Sequence, residues 1–235
     1  MITETMTATE KFADMRKDWN AILNEDVRFR TNGGWRHARS AQAKYPIQII
    51  HEWTSPKTHN RYLLQDVLNS RKEALNGCGS LMVRAMLTTA DGMALCMQNR
   101  SDKSNKYSLL TFRPHLFKRY KERMGLTFDG IDLIRHFLKR NTFFVFNEEY
   151  RRSKGNTTDV MITCYDGAVF GRFDESGEVE DIDLRTFISS ETMQEGYKAK
   201  FNGEYEECIT AAEERALLDP YYAHIAAHTI KHRNK

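Results

Sequence analysis

Two Asp-Gly pairs constrain this chain most. Asp91-Gly92 separates the apolar runs Leu81–Thr88 and Met93–Gln98, and Asp166-Gly167 separates Val160–Tyr165 from Ala168–Phe173. A two-residue turn between strands needs positive φ, which Asp and Gly tolerate best. Each pair therefore predicts an antiparallel hairpin. Further short runs, at Pro46–Trp53, Arg61–Leu68, Tyr107–Phe112, Thr142–Phe146 and Val179–Ile188, read as additional strands. Helical periods interrupt them. Thr7-x-x-Glu10 has the form of a capping box and precedes Phe12, Met15, Trp19, Ile22 and Leu23, which predicts a helix over Thr9–Asn24. Pro114–Met124 opens on proline and stops at Gly125, and Asp129–Lys139 carries Ile131, Ile134, Phe137 and Leu138 on one side. Tyr205–Leu217 and Tyr221–Lys231 read as closing helices. The expected fold class is α+β: an antiparallel sheet with hairpins, packed by a central helix pair and C-terminal helices. Residues 1–44 read as an N-terminal helix and a basic loop that is open to motion, broken at Gly33-Gly34, and residues 45–235 as a single α+β domain.

The composition suits a globular chain with a sizeable core: 40% of the 235 residues are hydrophobic and 29% are charged. No apolar run reaches the length of a membrane span, and Met1–Glu10 lacks the apolar stretch of a secretory signal. Cys78, Cys96, Cys164 and Cys208 lie far apart without a C-x-x-C pair and read as reduced thiols. A cytoplasmic protein without metal, cofactor or membrane partner is the expectation. No Gly-rich phosphate loop follows any strand, and no Gly-x-Ser-x-Gly elbow is present.

Charge is unevenly spread. Arg100, Lys103, Lys106, Arg113, Lys118, Arg119, Lys121 and Arg123 crowd one segment, whereas Asp174, Glu175, Glu178, Glu180, Asp181 and Asp183 crowd another. The basic segment suits an anionic ligand, or the two segments neutralise one another on a solvated surface.

On a helical wheel, Leu116, Phe117, Tyr120 and Met124 share one face of Pro114–Met124. His115, Arg119 and Glu122 share the other, with Arg123 at its edge. That second face has the groups for phosphodiester chemistry. His115 can move protons near neutral pH, Arg119 and Arg123 suit phosphate oxygens, and Glu122 can orient His115 or act as a second acid/base. Cleavage of RNA through its own 2′-hydroxyl needs no metal. Glu122 can equally be an ordinary surface partner of Lys118 or Arg119.

The run Pro114-His115-Leu116-Phe117-Lys118-Arg119-Tyr120-Lys121-Glu122-Arg123 resembles the His-x-x-x-Arg-x-x-x-Arg helix of RelE/BrnT-like toxins. It also resembles uncharacterised bacterial proteins that join a PHxxxRYxxR helix to a later strand end, here Thr186–Ser189. The resemblance covers roughly residues 109–189. It implies a metal-independent ribonuclease with His115 and Arg119 catalytic or phosphate-contacting and Thr186 completing the site. Such toxins are commonly much shorter than this chain.

Other constellations are open to two readings. Arg28, Arg30, Trp35, Arg36, His37 and Arg39 mix bases with an aromatic, as nucleic-acid contacts do, or face the acidic Asp174–Asp183 stretch. Arg151, Arg152 and Lys154 form a basic connection able to clamp a phosphate backbone beside the His115 helix, with Lys118 and Lys121 nearby in sequence. His224, His228 and His232 recur one turn apart, a chelating spacing, but without further ligands they read as the basic end of a helix. The competing functions are a ribonuclease-like domain and a non-catalytic accessory protein of a bacterium, phage or mobile element. The latter would bind nucleic acid, or a protein through the acidic C-terminal third.

Overall fold

Alternation along Arg61–Leu68 sends Tyr62 and Leu64 to one side of a sheet and Leu63 to the other, and all three are fully buried. A strand buried on both faces needs a layer on each side. The computed structural model describes residues 1–100, 106–142, 144–154 and 157–193 and supplies both layers. Helix α1 (Ala8–Phe29) covers one face. Helices α3 (Pro114–Arg123) and α4 (Gly130–Arg140) cover the other. The expected Tyr205–Leu217 and Tyr221–Lys231 helices, Cys208 and the histidines at 224, 228 and 232 lie outside the described residues.

The strands are β1 (Ile47–Thr54), β2 (Arg61–Leu68), β3 (Ser80–Thr89), β4 (Gly92–Arg100), β5 (Tyr107–Phe112), β6 (Val145–Lys154), β7 (Thr157–Cys164), β8 (Gly167–Asp174) and β9 (Glu180–Ser189). They form one nine-stranded sheet in the order β1-β2-β3-β4-β5-β9-β8-β7-β6. Every neighbouring pair is antiparallel except β5 and β9, which run parallel. The α+β class with a mainly antiparallel sheet is thus the observed architecture. The parallel pair at its centre was not visible in the hairpin signals. It arises because β5 leads into α3 and α4 instead of a turn, and a crossover is what parallel neighbours require. Among the described residues no helix is long and apolar enough to cross a membrane.

The α3/α4 face holds the larger core, with Phe112, Phe117, Tyr120, Phe137 and Phe187 at its centre. Tyr120 meets Phe137 and Phe187 edge-on at 4.9 and 5.0 Å between ring centres. On the α1 face, Phe12, Met15 and Ile22 pack on Tyr62, Leu64 and Ala85. The capping box forms as expected: Thr7 N–H donates to Glu10 Oε2 at 2.8 Å, and Glu10 N–H donates to Thr7 Oγ1 at 3.2 Å.

Three local expectations need correction. Helix α1 runs five residues past Asn24, and the segment expected as an open loop continues as a wide helical turn at Arg30–Gly34. Trp35 is fully buried there, donates from Nε1 to Asp66 Oδ2 at 2.9 Å, and carries Arg30 over its ring at 4.3 Å. It packs with Leu68 and Ala74, the latter on a short helix, α2 (Arg71–Asn76), that went unread in the sequence. Next, the turn residues of the two hairpins are Ala90-Asp91 and Tyr165-Asp166, because Thr89 pairs with Gly92 and Cys164 with Gly167. The glycines open the following strands, at φ 128° and 155°. Finally, Arg151–Lys154 is not a connection but part of β6, with Lys154 paired to Thr157.

A bulge at Arg185 of β9 lies opposite β8, where Phe170 pairs with Thr186 but Gly171 with Leu184. A Cβ on Gly171 would meet the Asp183 carbonyl oxygen at 2.3 Å. Backbone cannot withdraw as a side chain can, so Gly171→Ala is expected to destabilise by about 2–4 kcal/mol through forced separation of β8 and β9. Urea unfolding of the variant checks this, and an unchanged midpoint would show that the two strands are free to part.

Candidate nucleic-acid interface

Helix α3 begins at Pro114, whose missing N–H costs nothing at a first helical position, and its end is basic, with Lys121 and Arg123. Leu116, Phe117 and Tyr120 are buried against the sheet, mainly over β9. The opposite face is determined by that docking. His115, Lys118, Arg119, Glu122 and Arg123 are all exposed.

The polar groups on this face are linked to one another. Arg119 donates from Nε to His115 Nε2 at 3.3 Å and from a terminal nitrogen to Glu122 Oε2 at 2.9 Å. His115 therefore offers Nε2 as an acceptor, and Glu122 neutralises Arg119 without touching His115. Both members of the Arg119–Glu122 pair are more than 40% exposed, so the pair adds little stability. Lys121 pairs with Asp129 at 2.5 Å. Arg123 donates to the Phe187 carbonyl at 2.7 Å, which ties the end of α3 to β9. Thr186, the residue before it, is half-buried on β9 opposite Phe170.

The sequence-level residues are thus only partly assembled. His115, Arg119 and Glu122 form one cluster, and Arg123 and Thr186 belong to the α3–β9 junction. The side chains of Arg151, Arg152 and Lys154 lie outside the described residues. Their strand, β6, stands three positions from β9, about 14 Å across the sheet at the usual strand spacing. The expected clamp beside the His115 helix is therefore not formed by adjacent elements.

The two charge blocks partly meet. β5 lies beside β9, and Arg113 at its end donates to Asp183 at 2.5 Å and reaches Glu4 at 3.4 Å. Asp183 also accepts from Arg185, and both Glu180 and Asp183 are buried. Burial and the adjacent Asp183 push the Asp181 carboxyl above its usual range. Within the acidic stretch, Asp183 therefore serves the β5 side. Arg30 instead pairs with Asp26 and with Asp66, the latter at 3.0 Å, and Arg28 with Glu25 at 2.6 Å.

Three polar centres escaped the sequence reading. Asp18 is a buried carboxylate in α1, and Asp166 is a buried carboxylate in the β7–β8 turn. Arg84 is a fully buried cation in β3. A charged residue inside the apolar run Leu81–Thr88 was the one available signal for Arg84. Comparison of the chain with protein-family models, with curated proteins and with solved structures gives no match.

Proposed function

We propose that the outer face of α3 docks on the phosphate backbone of RNA as a binding surface. The observation that carries this reading is the exposure of Lys118, Arg119 and Arg123 along one side of a helix whose other side is locked into the core. Exposed cations on a rigid element neutralise successive phosphates at small ordering cost. Arg119 keeps donor capacity beyond its contacts to His115 and Glu122, and its planar fork suits a phosphate oxygen pair. Lys121 flanks the face from its pairing with Asp129.

A second reading, metal-independent RNA cleavage, draws support from the Arg119–His115 hydrogen bond. It sets an imidazole acceptor and a guanidinium side by side, the groups that proton transfer and phosphate stabilisation need. The binding reading is preferred because an exposed cluster excludes little water from a reacting group.

The test is fluorescence anisotropy of a labelled single-stranded RNA at several salt concentrations. The Lys118→Glu/Arg119→Glu double variant is expected to bind about tenfold or more weakly, with the salt slope reduced by about two. Equal affinity of variant and wild type would remove α3 as the interface. Incubating the same RNA with chelator separates the readings: cleavage that disappears in His115→Ala supports the enzyme, and intact RNA supports binding alone.

A further inference from the structure

The sheet forks between β3 and β4. Their ladder runs from Thr89–Gly92 to Arg84–Met97 and ends there. Beyond it, β3 continues only with β2 and β4 only with β5. The fork opens into a pocket of about 240 Å³ lined by Met15 and Trp19 of α1, Met82 and Arg84 of β3, Met97 of β4, and Thr142 beyond α4. Most of that lining is apolar.

Arg84 is fully buried at this pocket and its partners are neutral. One terminal nitrogen donates to Gln65 Oε1 at 2.7 Å, the other approaches Met82 Sδ at 3.4 Å, and Nε–H has no partner. Gln65 donates in turn to Gln48 Oε1 at 2.7 Å, and Gln48 to the Lys139 carbonyl at 3.1 Å, in the last turn of α4. The chain of amides thus ends on the negative end of a helix, two side chains away from the cation. Burial lowers the guanidinium to about 10, so it still carries its charge at neutral pH. A buried charge without an opposite charge is costly, and proteins ordinarily pair it.

We propose that the fork is a binding site for a small amphipathic carboxylate, with its anionic head on Arg84 and its apolar body among Met15, Trp19, Met82 and Met97. The ligand supplies the missing counter-charge. A benzene-sized group fills about 150 Å³, so the volume suits one ring with a short carboxylate arm. The site lies in the sheet fork, away from the outer face of α3, and stands independently of the RNA reading.

Titration calorimetry with 3-phenylpropionate, 3-phenylpropan-1-ol and inorganic phosphate tests the assignment. The acid is expected to bind saturably, and the alcohol about tenfold or more weakly, since it lacks the charge-assisted bond. Phosphate, without an apolar body, is expected to show no saturable binding. Gln65→Glu places a carboxylate within reach of the Arg84 terminal nitrogen and is expected to abolish acid binding while the protein remains folded. Arg84→Met is expected to remove the preference of acid over alcohol. The proposal is overturned by no saturable binding of the acid, by equal affinity for acid and alcohol, by phosphate binding as tightly, or by undiminished acid binding in Gln65→Glu.

Discussion

Alanine at position 18 is expected to cost about 3–5 kcal/mol of folding stability, a large share of what a single domain holds. The Asp18 carboxylate is 1% exposed and sits on α1 facing the sheet. It accepts from Ser55 Oγ at 2.7 Å, Thr58 Oγ1 at 2.5 Å, Asn60 Nδ2 at 3.0 Å and Tyr62 Oη at 2.7 Å. Those donors come from the β1–β2 connection and the start of β2, so one side chain organises a whole turn. Truncation strands them in an apolar layer, and each unpaired buried donor is expensive. Asn60 also donates to Asp14 at 3.0 Å, and Ile2 N–H donates to Asn60 Oδ1 at 2.7 Å, so the loss spreads to the N-terminus. Urea unfolding followed by circular dichroism reads the effect, and a midpoint equal to wild type would show that water replaces the carboxylate.

The same group sets a pH dependence. Burial pushes the Asp18 carboxyl up, but the four donors outweigh it and hold the group below its ordinary value. A depressed folded-state value stabilises the protein above the unfolded value, near pH 4, and that contribution is lost as pH falls through the lower folded value. Wild type is therefore expected to lose stability in acid more steeply than Asp18→Ala. Asp66 acts in the opposite sense. Burial raises it, as does Asp26, despite Trp35 and Arg30, so its share declines as pH rises beyond the ordinary carboxylate range. Parallel acid profiles for wild type and Asp18→Ala would contradict the Asp18 assignment.

Asp166→Ala is expected to be similarly severe, about 3–5 kcal/mol, because it leaves a buried network without its anion. Asp166 accepts from Tyr120 Oη at 2.6 Å, from Arg140 at 2.6 Å and from Asn141 Nδ2 at 3.1 Å, and its own N–H donates to Asn141 Oδ1 at 3.0 Å. The turn thereby grips α3 through Tyr120 and the end of α4 through Arg140 and Asn141. Burial and the nearby Asp166 charge push the Tyr120 phenol far above its ordinary value, so it stays a neutral donor. Without Asp166, α3 is held to the sheet by its apolar contacts and by the Arg123 hydrogen bond to the Phe187 carbonyl. Hydrogen exchange is expected to accelerate in α3 and α4 before the rest of the sheet, and RNA affinity through α3 to fall with it. Unchanged exchange in both helices would show that the aromatic cluster suffices.

Much of the fold was legible locally. Arg61–Leu68 and Tyr107–Phe112 alternate within strands whose bounds match the structure, and Thr7 and Glu10 mark the start of α1. The inner face of α3 was equally plain from Leu116, Phe117 and Tyr120. Trp35 misled, because an Arg- and Gly-rich neighbourhood reads as solvent-facing until Asp66 is seen to accept its indole N–H. Trp19 and Leu23 misled in the other direction: they fit the apolar face by spacing, yet are 39% and 41% exposed, while Asp18 and Asp26 turn inward.

Turns, caps and alternating runs act over a few residues, so the sequence by itself determined the two Asp-Gly hairpins, the helices α1, α3 and α4, and the α+β class. Which charges are buried depended on groups brought from elsewhere in the chain. Tyr62 is 44 positions from Asp18, Tyr120 is 46 from Asp166, and Gln65 is 19 from Arg84. A polar side chain enters a core only where a partner meets it, and that meeting belongs to tertiary packing. The parallel joining of β5 to β9 and the fork beside Arg84 follow from the same long-range assembly, as does the pairing of Arg113 with Asp183.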